Sequence, residues 1–267
     1  MLIPSAPGTD VKKNSDASID YSNRSEGYVT ISYQSDPAKK SIVVITHVGS
    51  GKNQKFAVPS DGESRTFPLC YGDGMYQFAV YRQVVDTRYS QILTLFTDVK
   101  LRTEYVPWLY TNSYSWYTPE SKCVKLAAEI CAGLKNDIDK VRTIYHWIVD
   151  HVEYDRALAV AVTKDKWWRP DPDLVASLGQ SICFGYASLK AAMCRSLEIP
   201  CKICVGYAGA SWHAWSEIYT EHGGDVDGIE FLPNKWNRHD VTFMDSSRGS
   251  AREFVRNDKN YTTHYCG

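Results

Sequence analysis

The order of hydrophobic and polar positions divides the chain into a β-rich first part and a mixed second part. Between residues 28 and 101, short alternating or apolar runs are separated by clusters rich in Gly, Pro, Ser and Asp. The run at 28–33 alternates in polarity, and the run at 42–48 is strongly β-branched. Such runs at near-regular spacing are typical of short antiparallel strands. The pattern therefore predicts a small all-β sandwich over residues 28–104, of the immunoglobulin or fibronectin type.

After Pro119 the apolar residues recur at helical spacing. Two stripes predict amphipathic helices, one with Cys123, Leu126, Ala127, Ile130, Cys131 and Leu134, the other with Val141, Ile144, Tyr145, Trp147 and Ile148. A mostly apolar helix is predicted from Cys183 to about Leu197, followed by strands at 201–207, 212–219 and 236–245. The stretch 162–178 is predicted as a loop because it contains Pro170 and Pro172. Residues 105–267 are thus expected to form an α+β domain, with helices packed against an antiparallel sheet.

Residues 1–27 are rich in Ser, Asp, Asn and Pro, and predict a flexible leader. This segment has no apolar core of the kind found in signal peptides. Two locations remain open: a cytoplasmic protein, or an exported one whose signal has been removed. A secreted or cell-surface location is preferred, because the leader has the composition of a tether.

Composition narrows the range of partners. The 267 residues are 43% hydrophobic and carry a formal net charge of −1, with no basic run. This excludes nucleic acids and anionic membranes as main partners, and no apolar run is long enough to span a bilayer. Among eight cysteines, Cys201 and Cys204 form a CxxC pair without a second pair. They are interpreted as buried thiols rather than a zinc site, and no metal or cofactor is expected.

Three residues carry the candidate chemistry. Ser181 is a possible N-cap, which places Cys183 in the first turn of its helix, where the helix dipole stabilises a thiolate. His213 lies in one predicted strand and Asp240 in the next. A thiol needs an imidazole to take its proton, and the imidazole needs an acceptor that fixes its orientation. The order Cys, His, Asp therefore suggests a catalytic triad.

Local motifs strengthen this suggestion: DKVRTIYHWI at 139–148 with YD at 154–155, CFGYA at 183–187, LEIPCKICVGY at 197–207, HAW at 213–215, and Trp236 followed by DVT at 240–242. Together they resemble the transglutaminase-like superfamily, a branch of the papain-like cysteine enzymes. The resemblance implies that Cys183 is the nucleophile, His213 the general base and Asp240 the orienting acid. It also implies a protein or peptide substrate, such as a cell-wall peptide, and a thioester intermediate.

Several details stay open at this point. Asp245 is an alternative acid, and the second oxyanion donor is Trp167, Trp168, Gln180 or a Tyr hydroxyl. Trp212 and Trp215 are interpreted as packing residues, and residues 221–233 as an insertion that caps the cleft or binds a partner. The resemblance fits either hydrolysis, as in a peptidase or amidase, or transamidation, with hydrolysis preferred. The alternative is a non-catalytic binding or scaffold protein of the same fold.

Overall fold

The computed structural model describes residues 1–36, 38–165, 167–246 and 251–267. Two compact units divide the chain: the first is Pro4–Pro107, and the second is Met1–Ile3 together with Trp108–Gly267. The division after Pro107 lies close to the boundary that the sequence predicts after residue 104. Within the described ranges, no helix combines the length and hydrophobicity needed to cross a bilayer.

The described part of the first unit consists of β-strands in two antiparallel sheets. The strands are β1 (Val11–Lys13), β2 (Ala17–Asp20), β3 (Tyr28–Tyr33), β4 (Ser41–His47), β5 (Asn53–Ala57), β6 (Arg65–Pro68), β7 (Gly74–Val85) and β8 (Arg88–Val99). One sheet has the order β1-β2-β3-β6 and the other has the order β5-β4-β7-β8. The predicted all-β character of the N-terminal region is confirmed.

The core of the first unit follows from the period of two in its strands. Val43 and Ile45 of β4 are buried, as is Ile31 of β3. Phe56 of one sheet and Phe67 of the other meet edge to face, with ring centroids 5.0 Å apart. The apolar faces of the two sheets therefore pack against each other.

The prediction of a flexible leader over residues 1–27 is wrong for residues 11–20. Strand β2 pairs with β3, and β1 pairs with β2. Ala17 and Ile19 of β2 are 4% and 0% exposed, whereas the polar residue between them points the other way. Because side chains alternate along a strand, β2 buries both apolar residues against the sheet. The stabilisation from this burial outweighs the polar composition of the segment.

The second unit contains both helices and strands. Its helices are α1 (Lys122–Ile130), α2 (Asp137–His151), α3 (Arg156–Ala161), α4 (Pro172–Leu178), α5 (Cys183–Ser196), α6 (Val241–Ser246) and α7 (Arg252–Arg256). Its strands are β9 (Glu153–Tyr154), β10 (Gln180–Ser181), β11 (Cys201–Ala208), β12 (Ser211–Thr220), β13 (Gly224–Val226), β14 (Ile229–Phe231), β15 (Lys235–His239) and β16 (Tyr261–Cys266). The main sheet is antiparallel, with the order β15-β12-β11-β16. The predicted α+β fold class is confirmed.

Helix α5 is the centre of the second unit. It is buried on every side from Gly185 to Ser196, as expected for a helix without a polar face. The Arg195 guanidinium is 0% exposed and donates to the Cys201 carbonyl of β11 at 2.8 Å. Lys190, also buried, makes a close contact with His239 of β15. These contacts fix α5 against the sheet, so the position of its first residue is well determined.

Two local predictions are wrong. The stretch 162–178 includes helix α4, because Asp171 caps it and Pro172 occupies its first turn, where a missing N–H is tolerated. The strand predicted over 236–245 ends at His239, and helix α6 follows. The Asp240 carboxylate accepts a hydrogen bond from the Phe243 N–H at 3.2 Å, and this N-cap contact begins the helix.

The polar segment at 221–233 contains the hairpin β13–β14. Its turn places Asp227 and Gly228 at φ values of 51° and 80°, the left-handed region typical of tight hairpins. Val226 and Phe231 are buried. The Tyr145 hydroxyl of α2 donates to Asp227 at 2.9 Å, so the segment packs against α2.

Candidate active site

Cys183 is the first residue of α5, as the sequence predicts. The N-cap is Ile182, not Ser181, which belongs to β10 instead. Strand β10 pairs in parallel with β9, with Ser181 opposite Tyr154, and this pairing fixes the direction in which the chain enters the helix. Cys183 is partly exposed, whereas Cys123, Cys131, Cys194, Cys201 and Cys204 are buried. Its thiol is therefore accessible at the positive end of a helix dipole.

His213 and Asp240 are in direct contact. The register of β12 against β15 pairs Ser216 with His239, which brings the residue after β15 beside His213. The Nε2 atom of His213 lies 2.8 Å from Oδ2 of Asp240. The two residues are 6% and 0% exposed. The pair is thus shielded from water, which strengthens its electrostatic interaction.

The environment of His213 favours its protonated form. Burial alone lowers the pKa of His213, but the Asp240 carboxylate and a hydrogen bond with Cys183 raise it to about 10. Because Nε2 is occupied by Asp240, Nδ1 is the ring nitrogen available to the Cys183 sulfur. The structure thus brings the three predicted residues together in the order sulfur, imidazole, carboxylate.

Tyr261 is part of the site and was not identified from the sequence. Its hydroxyl donates to Oδ2 of Asp240 at 2.8 Å. Burial, followed by the charge of Asp240, raises the pKa of Tyr261, so the phenol keeps its proton and remains a donor. Nothing near residue 261 resembles a motif, and only the pairing of β16 with β11 brings it to Asp240.

Aromatic rings enclose the imidazole. Phe243 stacks on His213 with centroids 4.4 Å apart and an interplanar angle of 17°. Trp215 is buried and lies parallel to the imidazole at 6.4 Å, which confirms its interpretation as a packing residue. Trp212 is 53% exposed but also packs, edge to face, on the rings of Tyr207 and His264, with centroids 5.2 Å apart in each case. Phe243 is three residues after Asp240 in the chain. Its ring reaches the imidazole because α6 is helical, whereas the sequence predicts a strand there.

Asp245 does not take the place of Asp240. It lies on α6, where it accepts a hydrogen bond from the Tyr186 hydroxyl at 2.9 Å. Burial raises the pKa of Asp245, and the nearby Glu153 adds to this effect. Because Asp245 is engaged by Tyr186, the structure favours Asp240 as the acceptor for the imidazole.

The candidate oxyanion donors lie at two positions near Cys183. The Trp168 ring packs edge to face on Phe184, with centroids 6.2 Å apart. Gln180 is exposed on β10, three residues before Cys183 in the chain. Trp167 is partly exposed in the same loop as Trp168. The choice among these side chains stays a prediction.

A polar cavity is lined by β9 together with residues of α2 and α6. Its volume is about 730 Å³, and its lining includes Tyr145, Tyr154, Asp227 and Asp245. Burial and the neighbouring Cys183 raise the pKa of Tyr154, which places this ring within electrostatic reach of the thiol. Tyr154 therefore connects the cavity with the candidate nucleophile, although Cys183 itself does not line the cavity.

The two thiols of the CxxC pair have different partners. Cys204 contacts Cys266 on one side of β11, and Cys201 forms a hydrogen bond with Cys194 of α5 on the other. The two thiols thus face opposite sides of the strand, as predicted. In the described ranges, no group of three or more His, Cys, Asp or Glu side chains is placed to hold a metal ion.

These features agree with the comparison to known families. Residues 124–256 match the model of the transglutaminase-like superfamily. The chain therefore carries a transglutaminase-like domain, as its motifs predict.

Among individual proteins, the chain is similar to kyphoscoliosis peptidase. It is 31% identical to the human protein over 153 residues, which cover 56% of this chain and 23% of that protein. The mouse protein is 27% identical over 155 residues, which cover 57% of this chain and 23% of that protein. The matched region thus spans less than a quarter of these relatives.

Two solved structures are also similar to the chain. One is a Cytophaga hutchinsonii protein described provisionally as a cysteine protease, with a TM-score of 0.45, 16% identity, and coverage of 90% of this chain and 79% of that one. The other is the periplasmic domain of TgpA from Pseudomonas aeruginosa, with a TM-score of 0.38, 13% identity, and coverage of 94% and 80%.

Proposed function

We propose that the protein is a thiol enzyme that cleaves or transfers an acyl group from an amide bond. Cys183 acts as nucleophile, His213 as general base and acid, and Asp240 as the residue that orients the imidazole. The observation that carries this proposal is the buried contact of 2.8 Å between His213 and Asp240, next to an accessible thiol at a helix N-terminus. Groups in this arrangement perform nucleophilic acyl transfer in other folds.

The first step generates the nucleophile. His213 has a raised pKa and holds the proton of Cys183, so the sulfur reacts as a thiolate. The thiolate attacks the amide carbon, and the protonated imidazole then gives its proton to the departing amine. This step leaves a thioester on Cys183 and a neutral His213.

The second step resolves the thioester. His213, now neutral, takes a proton from water or from a second amine as that molecule attacks the thioester carbon. Water gives hydrolysis, and an amine gives transamidation. Hydrolysis is the preferred outcome, because Cys183 is partly exposed, so water can reach the thioester. The relatives named as peptidases support a peptide or protein substrate.

A labelling experiment tests the nucleophile. Iodoacetamide is expected to modify Cys183 near neutral pH faster than any other cysteine, because His213, whose pKa is raised, forms a hydrogen bond with this thiol. His213→Ala is expected to remove this rapid phase without unfolding the protein. The matched control is Cys70→Ser, in the first unit, which should leave the rapid phase intact. Labelling of Cys183 at the same slow rate as the remaining thiols would instead support a binding or scaffold protein.

A second experiment identifies the reaction. Peptide libraries are incubated with the protein in the presence and absence of a primary amine, and products are identified by mass spectrometry. Hydrolysed peptides indicate a peptidase or amidase, and amine adducts indicate a transamidase. Cys183→Ala is the blank, and equal product formation by this variant would contradict the proposed mechanism.

A further inference from the structure

Two thiols outside the catalytic site face each other across the last strand of the sheet. The Sγ atoms of Cys204 on β11 and Cys266 on β16 are 3.3 Å apart. Cys204 is fully buried, while Cys266 is partly exposed. The chain positions of these residues give no sign of their proximity, which results from the pairing of β16 with β11.

The register of this strand pair suits a covalent bond between the two sulfurs. Ile203 and Gly267 exchange both of their main-chain hydrogen bonds, each 2.8 Å long. The next pair, Cys204 opposite Cys266, is consequently a non-hydrogen-bonded pair. Such pairs have Cα atoms about 4.5 Å apart. Disulfides span Cα separations of roughly 4.4–6.8 Å, so a bond here requires no movement of the backbone.

We propose that Cys204 and Cys266 are a redox modification site that forms a reversible intramolecular disulfide with low-molecular-weight disulfides as the oxidant. The inference does not depend on the catalytic proposal, because it rests on the contact between β11 and β16 alone.

The unequal exposure of the two cysteines sets the order of the exchange. Burial, followed by the contact with Cys266, raises the pKa of Cys204, so Cys204 stays a thiol. The partly exposed Cys266 thiol gives its proton to solvent, from which the second departing thiolate later regains one, and its sulfur attacks one sulfur of the oxidant and expels the other as a thiolate. The expelled thiolate takes the proton of Cys204, whose sulfur then attacks Sγ of Cys266 and releases the second small thiol. Two protein thiols are oxidised by two electrons, and one small disulfide is reduced to two thiols.

The bond would anchor the strand that supports the acid of the catalytic site. Strand β16 lies at the edge of the described sheet, and a register shift next to Val205 and Gly206 interrupts its pairing with β11. Its first residue, Tyr261, donates to Asp240. A disulfide at Cys266 therefore restricts opening of the strand that holds this donor, since it removes conformations from the unfolded and frayed states.

Disulfide formation is tested on the reduced chain of 267 residues, with glutathione disulfide as the oxidant. The protein is equilibrated with the oxidant, unfolded in an alkylating agent and mapped by mass spectrometry. One cross-linked peptide pair should contain Cys204 and Cys266, whereas the accessible Cys183 is expected to form only a mixed disulfide with glutathione. In Cys183→Ala, two of the seven remaining thiols should resist alkylation and the same cross-link should form, so the test does not depend on the candidate nucleophile.

Two single variants identify the pair. Cys204→Ser and Cys266→Ser should each abolish the cross-link, and Cys70→Ser should retain it. The proposal would be overturned if Cys266 formed only a mixed disulfide with glutathione and no cross-link to Cys204. A cross-link between Cys194 and Cys201, with Cys204 and Cys266 fully alkylated, would also overturn it.

Thermal unfolding of the wild-type protein provides a readout that needs no variant. The oxidised form is expected to have a Tm several degrees above the reduced form, and treatment with dithiothreitol should restore the lower value. Equal Tm values for fully cross-linked and fully reduced protein would refute the anchoring role of the bond.

Discussion

The Asp240 carboxylate keeps His213 protonated well above neutral pH in the folded protein. The pKa of His213 is about 10, compared with 6.5 for an unperturbed imidazole. Below pH 6.5 the ring is protonated in both the folded and unfolded states, and its full contribution to stability is present. Between pH 6.5 and 10 the unfolded chain loses this proton first, so the contribution declines by at most about 1.4 kcal/mol per pH unit.

Urea unfolding between pH 6.5 and 9 measures this decline, with Cys183→Ala as the parent so that the thiol does not titrate. Cys183→Ala/Asp240→Asn removes the negative charge that raises the pKa. The free energy of unfolding of the parent should fall more steeply with pH than that of the double variant. Parallel slopes for the two proteins would show that Asp240 does not hold the proton on His213.

Tyr261 provides a second prediction at the level of one atom. Tyr261→Phe removes the hydroxyl that donates to Asp240 and leaves a buried carboxylate with one donor fewer. The expected loss is about 1–3 kcal/mol in the free energy of unfolding, together with slower labelling of Cys183 by iodoacetamide. The matched control is Tyr81→Phe, whose hydroxyl makes an exposed contact with Gln91 and should change stability by less than about 0.5 kcal/mol. Wild-type stability and labelling in Tyr261→Phe would assign Tyr261 no part in positioning Asp240.

At the level of elements, the sequence predicts helices and strands well where apolar periodicity is sustained. The stripes of α1 and α2 and the continuous apolar run of α5 each correspond to an observed helix. The predictions fail where a single capping contact decides the structure, as with Asp171 before α4 and Asp240 before α6. A cap involves one side chain and one or two N–H groups, so it leaves no periodic signal in the sequence.

The junction between β10 and α5 also depends on one close contact. A Cβ atom at Gly185 would lie 1.8 Å from Oγ of Ser181 and 3.2 Å from Cγ2 of Val175. Gly185→Ala should therefore overpack the first turn of α5, with a loss of about 1–3 kcal/mol in the free energy of unfolding. Displacement of this turn should also slow the labelling of Cys183. Both quantities are measured by urea unfolding and iodoacetamide kinetics.

The double variant Gly185→Ala/Ser181→Gly provides the control for this contact. It removes Oγ and Cβ of Ser181, the two atoms nearest to the added methyl group. Much of the lost stability and labelling rate should therefore return, so the effects of the two single substitutions should not add up in the double variant. If the loss in the double variant equalled the sum of the losses in the two single variants, the strain would lie elsewhere in the helix.

At the scale of the whole molecule, the sequence could predict that three candidate residues far apart in the chain lie together, but not which residues support them. Cys183, His213 and Asp240 each lie in a recognisable motif, and adjoining strands bring two of them together. Tyr261 and Cys266 lie on β16, whose pairing with β11 is a long-range event that no local pattern encodes. The β1 and β2 strands were missed for a similar reason, because they are short and gain stability only from pairing with β3.

The first unit offers a final prediction, because its strands and its buried residues lie within Pro4–Pro107. A fragment of residues 4–107 is expected to fold alone, with a β-type circular dichroism spectrum and a cooperative thermal transition. Val43→Asp places a charge at a position that is 0% exposed between the sheets, so the same fragment with this change should not fold. Lys55→Asp, at an exposed position on β5, is the matched control and should fold like the parent. A parent fragment without a cooperative transition would mean that this core needs the rest of the chain, even though its apolar faces cover each other.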